Sequence, residues 1–125
     1  MNRKKAFDIY RKNSEITDIR ISFIKSFLKS VKKEIVKGKF TLAERTKNMD
    51  FIKDKGLMIP EDIKEVIFNL SYRDCVGGPE ADRDGYEGDI YIFKTDVIDE
   101  VITYIKIRYN PPDEVICISF HEDDY

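Results

Sequence analysis

The chain is poor in the residues that usually advertise chemistry. Its 125 residues include a single histidine, His121, and two cysteines, Cys75 and Cys117. The cysteines lie far apart and match no metal-ligand spacing, so a reduced pair is expected rather than a zinc cluster or a disulfide framework. No apolar run approaches the roughly 18 residues needed to span a membrane. The basic opening, Arg3, Lys4 and Lys5, is not followed by an apolar stretch, so no signal peptide is expected and the cytoplasm is the expected compartment. A Gly-rich nucleotide loop, an internal repeat and a Ser/His/Asp or Cys/His signature are all missing. Neither a metal nor a cofactor is expected.

What is present is charge and periodicity. With 42% hydrophobic and 37% charged residues, the chain reads as one globular domain with a heavily charged surface. The net charge of -2 hides an asymmetry. Residues 1–55 hold 16 Lys and Arg against 7 Asp and Glu, while residues 56–125 hold 6 against 17. That polarity suits a basic surface for nucleic acid beside an acidic one for another partner, or two halves that neutralise each other. A pI near 5.5 argues against strong nonspecific binding to nucleic acid, so any RNA contact is local.

Residues 1–21 read as an N-terminal extension able to form a short, loosely docked helix, and 22–125 as a single domain. Phe23, Ile24, Phe27, Leu28, Val31, Ile35 and Val36 recur at helical spacing up to Gly38, with Lys25, Lys29, Lys32, Lys33 and Lys37 on the opposite side. Residues 40–43 suggest a short strand. Asn48 is suited to cap a helix through Asp50, Phe51 and Ile52, and Pro60 to open one through Ile63, Val66, Ile67 and Leu70. Residues 71–88 carry four glycines and a proline and read as one long loop. Strands are expected near 89–95, 100–109 and 115–121. Helices first and an antiparallel meander last describe an α+β fold, with N-terminal helices packed on a C-terminal antiparallel sheet.

The last hairpin concentrates the chemistry. Alternation places Thr103, Ile105, Ile107 and Tyr109 on one face and Ile102, Tyr104, Lys106 and Arg108 on the other. On the return strand Ile116, Ile118 and Phe120 are expected inward, and Cys117, Ser119 and His121 outward. The turn at 110–113 would set Tyr104 opposite Ser119 and Lys106 opposite Cys117, with His121 diagonal to Tyr104. Histidine exchanges protons near neutrality, and Lys106 and Arg108 suit a phosphorane-like transition state. An ordinary half-solvated sheet face carries the same residue types. Upstream, Arg45 and Lys47 precede a helix N-terminus, where free amides also favour phosphate. The acidic loop from Glu80 to Asp89 imitates the first half of a calcium loop, with Gly85 in sixth place. Its twelfth position is Tyr91 where a bidentate Glu is required, so a solvated or site-bordering loop is the better reading.

As an ordered set, these segments resemble a known family. Leu70-Ser71, Gly78-Pro79-Glu80, the run Gly88 to Phe93, Tyr104-Ile105-Lys106 and the run Ile118 to Glu122 are similar to the MqsR-type toxins of type II toxin–antitoxin systems, messenger-RNA interferases with the RelE-like fold. The resemblance spans roughly residues 22–122. It implies a metal-independent RNA endonuclease in which Tyr104 and Lys106 take the family's catalytic strand positions. His121 stands where well-known members carry a lysine, as a general acid for the leaving 5′-oxygen. Arg45, Lys47 and Arg108 would hold substrate. The implied partners are messenger RNA, on or off the ribosome, and a cognate antitoxin protein. Gly77 and Gly88 fall on or near positions where the family has a lysine and a glutamine, with Arg73 or Arg83 as replacement cations. A different class also fits: a non-catalytic RelE-like inhibitor encoded by a phage or mobile element, binding a nuclease complex through the acidic surface of residues 56–125.

Overall fold

The computed structural model describes residues 3–112 and 114–124, and the side chains of all of these except residues 3–16. Helix α1, Arg3–Val36, runs unbroken for 34 residues. No glycine or proline interrupts that span, so nothing separates a short N-terminal helix from the main one, and position 21 lies inside α1. Ile24, Phe27, Leu28, Val31 and Ile35 are buried, whereas Phe23 and Val36, expected in the same stripe, stand exposed. The buried arc is narrower than the apolar one because only one side of α1 meets the sheet. Gly38 closes the helix, its N–H donating to the Ile35 carbonyl at 2.9 Å.

Strand β1 is short, Thr41–Leu42, and leads into α2, Thr46–Asp54, and α3, Glu61–Phe68. Pro60 sits just before α3 rather than as its first residue. Ile63, Ile67 and Leu70 are buried as the stripe predicts. The sheet then follows: β2, Cys75–Glu80; β3, Asp89–Ile98; β4, Val101–Asn110; and β5, Glu114–Glu122. Its order is β1-β5-β4-β3-β2. The last three strands form the expected antiparallel meander, β2 extends it antiparallel along β3, and β1 adds a parallel edge to β5. All three helices pack on one face, over Tyr91, Phe93, Ile105, Ile107, Cys117 and Phe120. The fold is α+β, with N-terminal helices on a C-terminal sheet.

One segment departs from expectation. Residues 71–88 are not a single loop: a 3₁₀ turn, Tyr72–Asp74, feeds the edge strand β2. Glycine and proline there mark an irregular strand, whose register against β3 shifts twice, between Cys75 and Gly77 and between Gly77 and Glu80. Gly78 has φ +101°, and a Cβ added to it would lie 2.5 Å from the Ile90 carbonyl oxygen. Gly78→Ala is therefore expected to cost about 2 kcal/mol, read as a lower midpoint in chemical denaturation. An unchanged midpoint would show that β2 does not approach β3 so closely.

Candidate functional site

The geometry of the site begins with a bulge. The β4–β5 register pairs Ile107 with Cys117 and Lys106 with Ser119, leaving Ile118 as the extra residue. This shifts the phase of β5. Val115 and Cys117 face the core before the bulge and Phe120 after it, while Ile116 and Ile118, expected inward, are only partly buried. It also brings His121 directly opposite Tyr104, not diagonal to it.

A buried side chain satisfies this bulge. Asn48 lies inside α2 rather than capping it, and is fully buried. Its amide nitrogen donates to the carbonyls of Ala43 and Ile118, both at 2.9 Å, and its oxygen accepts from the Phe120 N–H at 2.9 Å. A residue paired with Ser119 in a parallel ladder would make the same two bonds to β5. Where β1 stops, the Asn48 side chain acts as its next peptide.

Tyr104 and His121 stand on the face opposite the helices, both partly exposed. Their rings stack at 5.5 Å between centroids with 16° between planes. The His121 Nδ1 lies 2.8 Å from the Glu122 carbonyl oxygen, which can only accept, so Nδ1 carries a proton and Nε2 is left for a ligand. Burial first, and then the Glu80 carboxylate, push the Tyr104 phenol above its ordinary value, so it remains a proton donor. Lys94 pairs across β3 with Tyr104, and Lys106 lies opposite Ser119 on the same face. Arg45, just before α2, reaches over this edge, its Nη1 3.5 Å from Ser119 Oγ. Tyr104, Lys106, His121 and Arg45 therefore converge on one face.

The remaining two residues go elsewhere. Lys47 pairs with Asp124 of the C-terminal tail. Arg108 is enclosed, with only 6% of its side chain exposed, donating to Asp82 at 2.7 Å and Glu114 at 2.9 Å with the Tyr86 ring 4.7 Å away. It clamps the acidic loop onto the sheet. The loop's Asp82 is spent on that clamp and on the Asp84 N–H at 2.7 Å. Among the described residues no group of three His, Cys, Asp or Glu side chains is placed to hold a metal ion. Lys106 and Lys94 also have acidic partners, Glu80 at 3.7 Å and Asp123 at 2.8 Å.

Gly88 serves the backbone: at φ +113° it passes so close to β4 that a Cβ would lie 2.7 Å from the Tyr109 carbonyl oxygen. Gly77 packs on Ile92, where a Cβ would meet Cδ1 at 3.3 Å. Arg73 is turned to the Tyr72 phenol at 3.3 Å. Burial pushes the Cys117 thiol up, so it serves packing rather than nucleophilic chemistry. Sequence reasoning missed Lys94 as a member of this face and Glu80 as the partner of Lys106, and it set Ser119 opposite Tyr104 where the register sets it opposite Lys106. The register of β3 against β4 is the signal that brings Lys94 beside Tyr104. Among the described residues no helix is long and apolar enough to cross a membrane. Comparison with protein families, curated proteins and solved structures finds no match for this chain.

Proposed function

We propose that the chain is a metal-independent RNA endonuclease of the MqsR-like toxin group, acting in the cytoplasm and held in check by a cognate antitoxin protein. The observation that carries this reading is the stacked Tyr104–His121 pair on an open sheet face, with Lys94, Lys106 and Arg45 around it. RNA supplies its own nucleophile. With its Nδ1–H turned to the Glu122 carbonyl, His121 acts as base rather than as the acid the resemblance implies, and its Nε2 takes the proton from the 2′-hydroxyl as that oxygen bonds to phosphorus. Tyr104 gives its proton to the departing 5′-oxygen as the P–O bond breaks, and Lys106 and Arg45 offset the charge that grows on the phosphoryl oxygens. The products are a 2′,3′-cyclic phosphate and a 5′-hydroxyl.

The test is cleavage of single-stranded RNA by the purified chain with a chelator present, with end-group analysis of the fragments. Cyclic phosphate ends, and no cutting of a strand with 2′-deoxy sugars, are expected; chelator-sensitive cutting, or cutting of the deoxy strand, would overturn the mechanism. The phenol pKa is raised, so Tyr104 keeps its proton as pH climbs, and the alkaline decline is expected only above the ordinary phenol value of about 10. A decline that sets in well below that value would remove Tyr104 as the acid.

A second reading is favoured by a specific observation. Lys47, Lys94, Lys106 and Arg108 each have a carboxylate partner. A surface already neutralised in this way suits a non-catalytic inhibitor that binds a nuclease complex through its acids. Capture of such a complex, lost when the acids of residues 80–89 are neutralised, with no RNA cleavage by the chain, would favour it over the enzyme.

A further inference from the structure

The basic side of α1 takes no part in the face just described, and it is not uniformly solvated. Lys25, Lys29 and Lys32 stand at i, i+4 and i+7, one stripe with about 6 Å of rise between the first two. Beside them the 3₁₀ turn places Tyr72 and Arg73. Together with Leu28, Leu70 and Ser71, the three lysines and Tyr72 line a groove of about 380 Å³. Three of the cations at the groove are held in place. Lys25 Nζ lies 4.8 Å from the Tyr72 ring centroid and the Arg73 guanidinium 5.6 Å from it. Arg73 Nε also donates to the Tyr72 phenol at 3.3 Å. Lys32 Nζ donates to the Leu70 carbonyl at 2.6 Å, fixing α1 against the end of α3 and leaving two N–H groups for a ligand.

The contrast with the sheet face is electrostatic. There Lys94 and Lys106 each have an acid. Here, among the described residues, Lys25, Lys29, Lys32 and Arg73 have no carboxylate within ion-pair distance. The acid of the turn, Asp74, is engaged by the Ser71 N–H at 2.8 Å. The Tyr72 phenol is lowered from its ordinary value by its hydrogen bond with Arg73 and by the charges of Arg73 and Lys25, as expected in a positive field. Cations arrayed around an aromatic ring in a groove are what a single-stranded nucleic acid backbone requires.

We infer that the groove between α1 and the Tyr72–Asp74 turn binds the phosphate backbone of single-stranded RNA through Lys25, Lys29, Lys32 and Arg73, with Tyr72 positioning Lys25 and Arg73. The inference rests on the RNA reading above and adds a second place where the strand is held. The cleavage face and this groove lie on opposite faces of the sheet, so a strand touching both passes around the margin of the sheet.

Binding of a fluorescein-labelled single-stranded RNA is measured by anisotropy across a salt series, in the His121→Ala background so that the probe stays intact. Lys25→Glu with Lys29→Glu is expected to weaken binding about tenfold or more. Loss of two contacts should also flatten the slope of log affinity against log salt by about 1.4. Tyr72→Leu, which keeps every cation but frees Lys25 and Arg73, should weaken binding several-fold. Unchanged affinity and slope in the double variant, with its helical circular dichroism intact, overturns the inference. So does a double variant that binds RNA normally but loses a poly-glutamate probe, which would make the groove a protein-docking site. Wild-type chain that binds RNA through these lysines without cutting it defeats the endonuclease reading alone; wild-type chain that cuts while the double variant binds normally defeats this one alone.

Discussion

Asn48→Ala is expected to lower stability by about 3 kcal/mol, which for a chain of this size moves the thermal midpoint on the order of 10 °C. The reason is the number of partners abandoned. Asn48 is fully buried and satisfies two carbonyls and one N–H, including both free groups of β5 on either side of Ser119. Alanine leaves them without partners where water has little access, and a buried polar group without a partner costs about 1–3 kcal/mol. Asn48→Asp separates this account from simple cavity formation. The carboxylate fills the same volume and still accepts from Phe120, but it faces the Ala43 and Ile118 carbonyls with no donor. It should be at least as damaging as alanine at neutral pH, and should recover in part on acidification, when a protonated carboxyl regains one donor. An aspartate variant as stable as the parent at neutral pH would refute the surrogate-peptide role of Asn48.

This residue also explains where the sequence was readable and where it was not. Alternation along residues 101–109 placed Tyr104, Lys106 and their neighbours on the right faces, because the extra residues fall on β3 and β5 and β4 itself runs without one. The same rule failed on β5. Ile116-Cys117-Ile118-Ser119-Phe120 is apolar at nearly every position, so its pattern does not choose between two phases. The choice is made by a bulge whose hydrogen-bond partner lies 70 residues earlier in the chain. Read locally, Asn48 resembles a helix cap; only the end of β1 beside it reveals the use of its amide.

Two other misjudgements share that origin. The glycines of residues 77 and 78 punctuate a loop and a bulged edge strand equally well, and the approach of the β3 backbone decides between them. Arg108 alternates outward as expected, yet the loop it faces folds back to bury it between Asp82 and Glu114. A charged residue on an outward strand position reads as exposed until something covers it. The helix stripes, set by short-range spacing, were legible almost throughout.

The second large effect expected is catalytic. His121→Ala should reduce RNA cleavage by about 10² or more, while changing stability by no more than about 0.5 kcal/mol. The two readouts separate because His121 is partly exposed and its ring bonds to the next residue's carbonyl, so truncation strands no buried group. Phe120, fully buried, holds the end of β5 in place whichever side chain follows it. Tyr104→Phe should retain the ring stack and lose only the donated proton, giving a smaller loss confined to kcat. Asn48→Ala supplies the structural counterpart. A slip of one residue at Ile118 would turn Phe120 outward and His121 inward, so any folded fraction of that variant should be inactive with His121 still present. Expressed in growing bacteria, the parent chain should arrest growth and His121→Ala should not. Equal cleavage and equal growth arrest by the two would remove His121 from the mechanism, and with it the role assigned to the Tyr104–His121 pair.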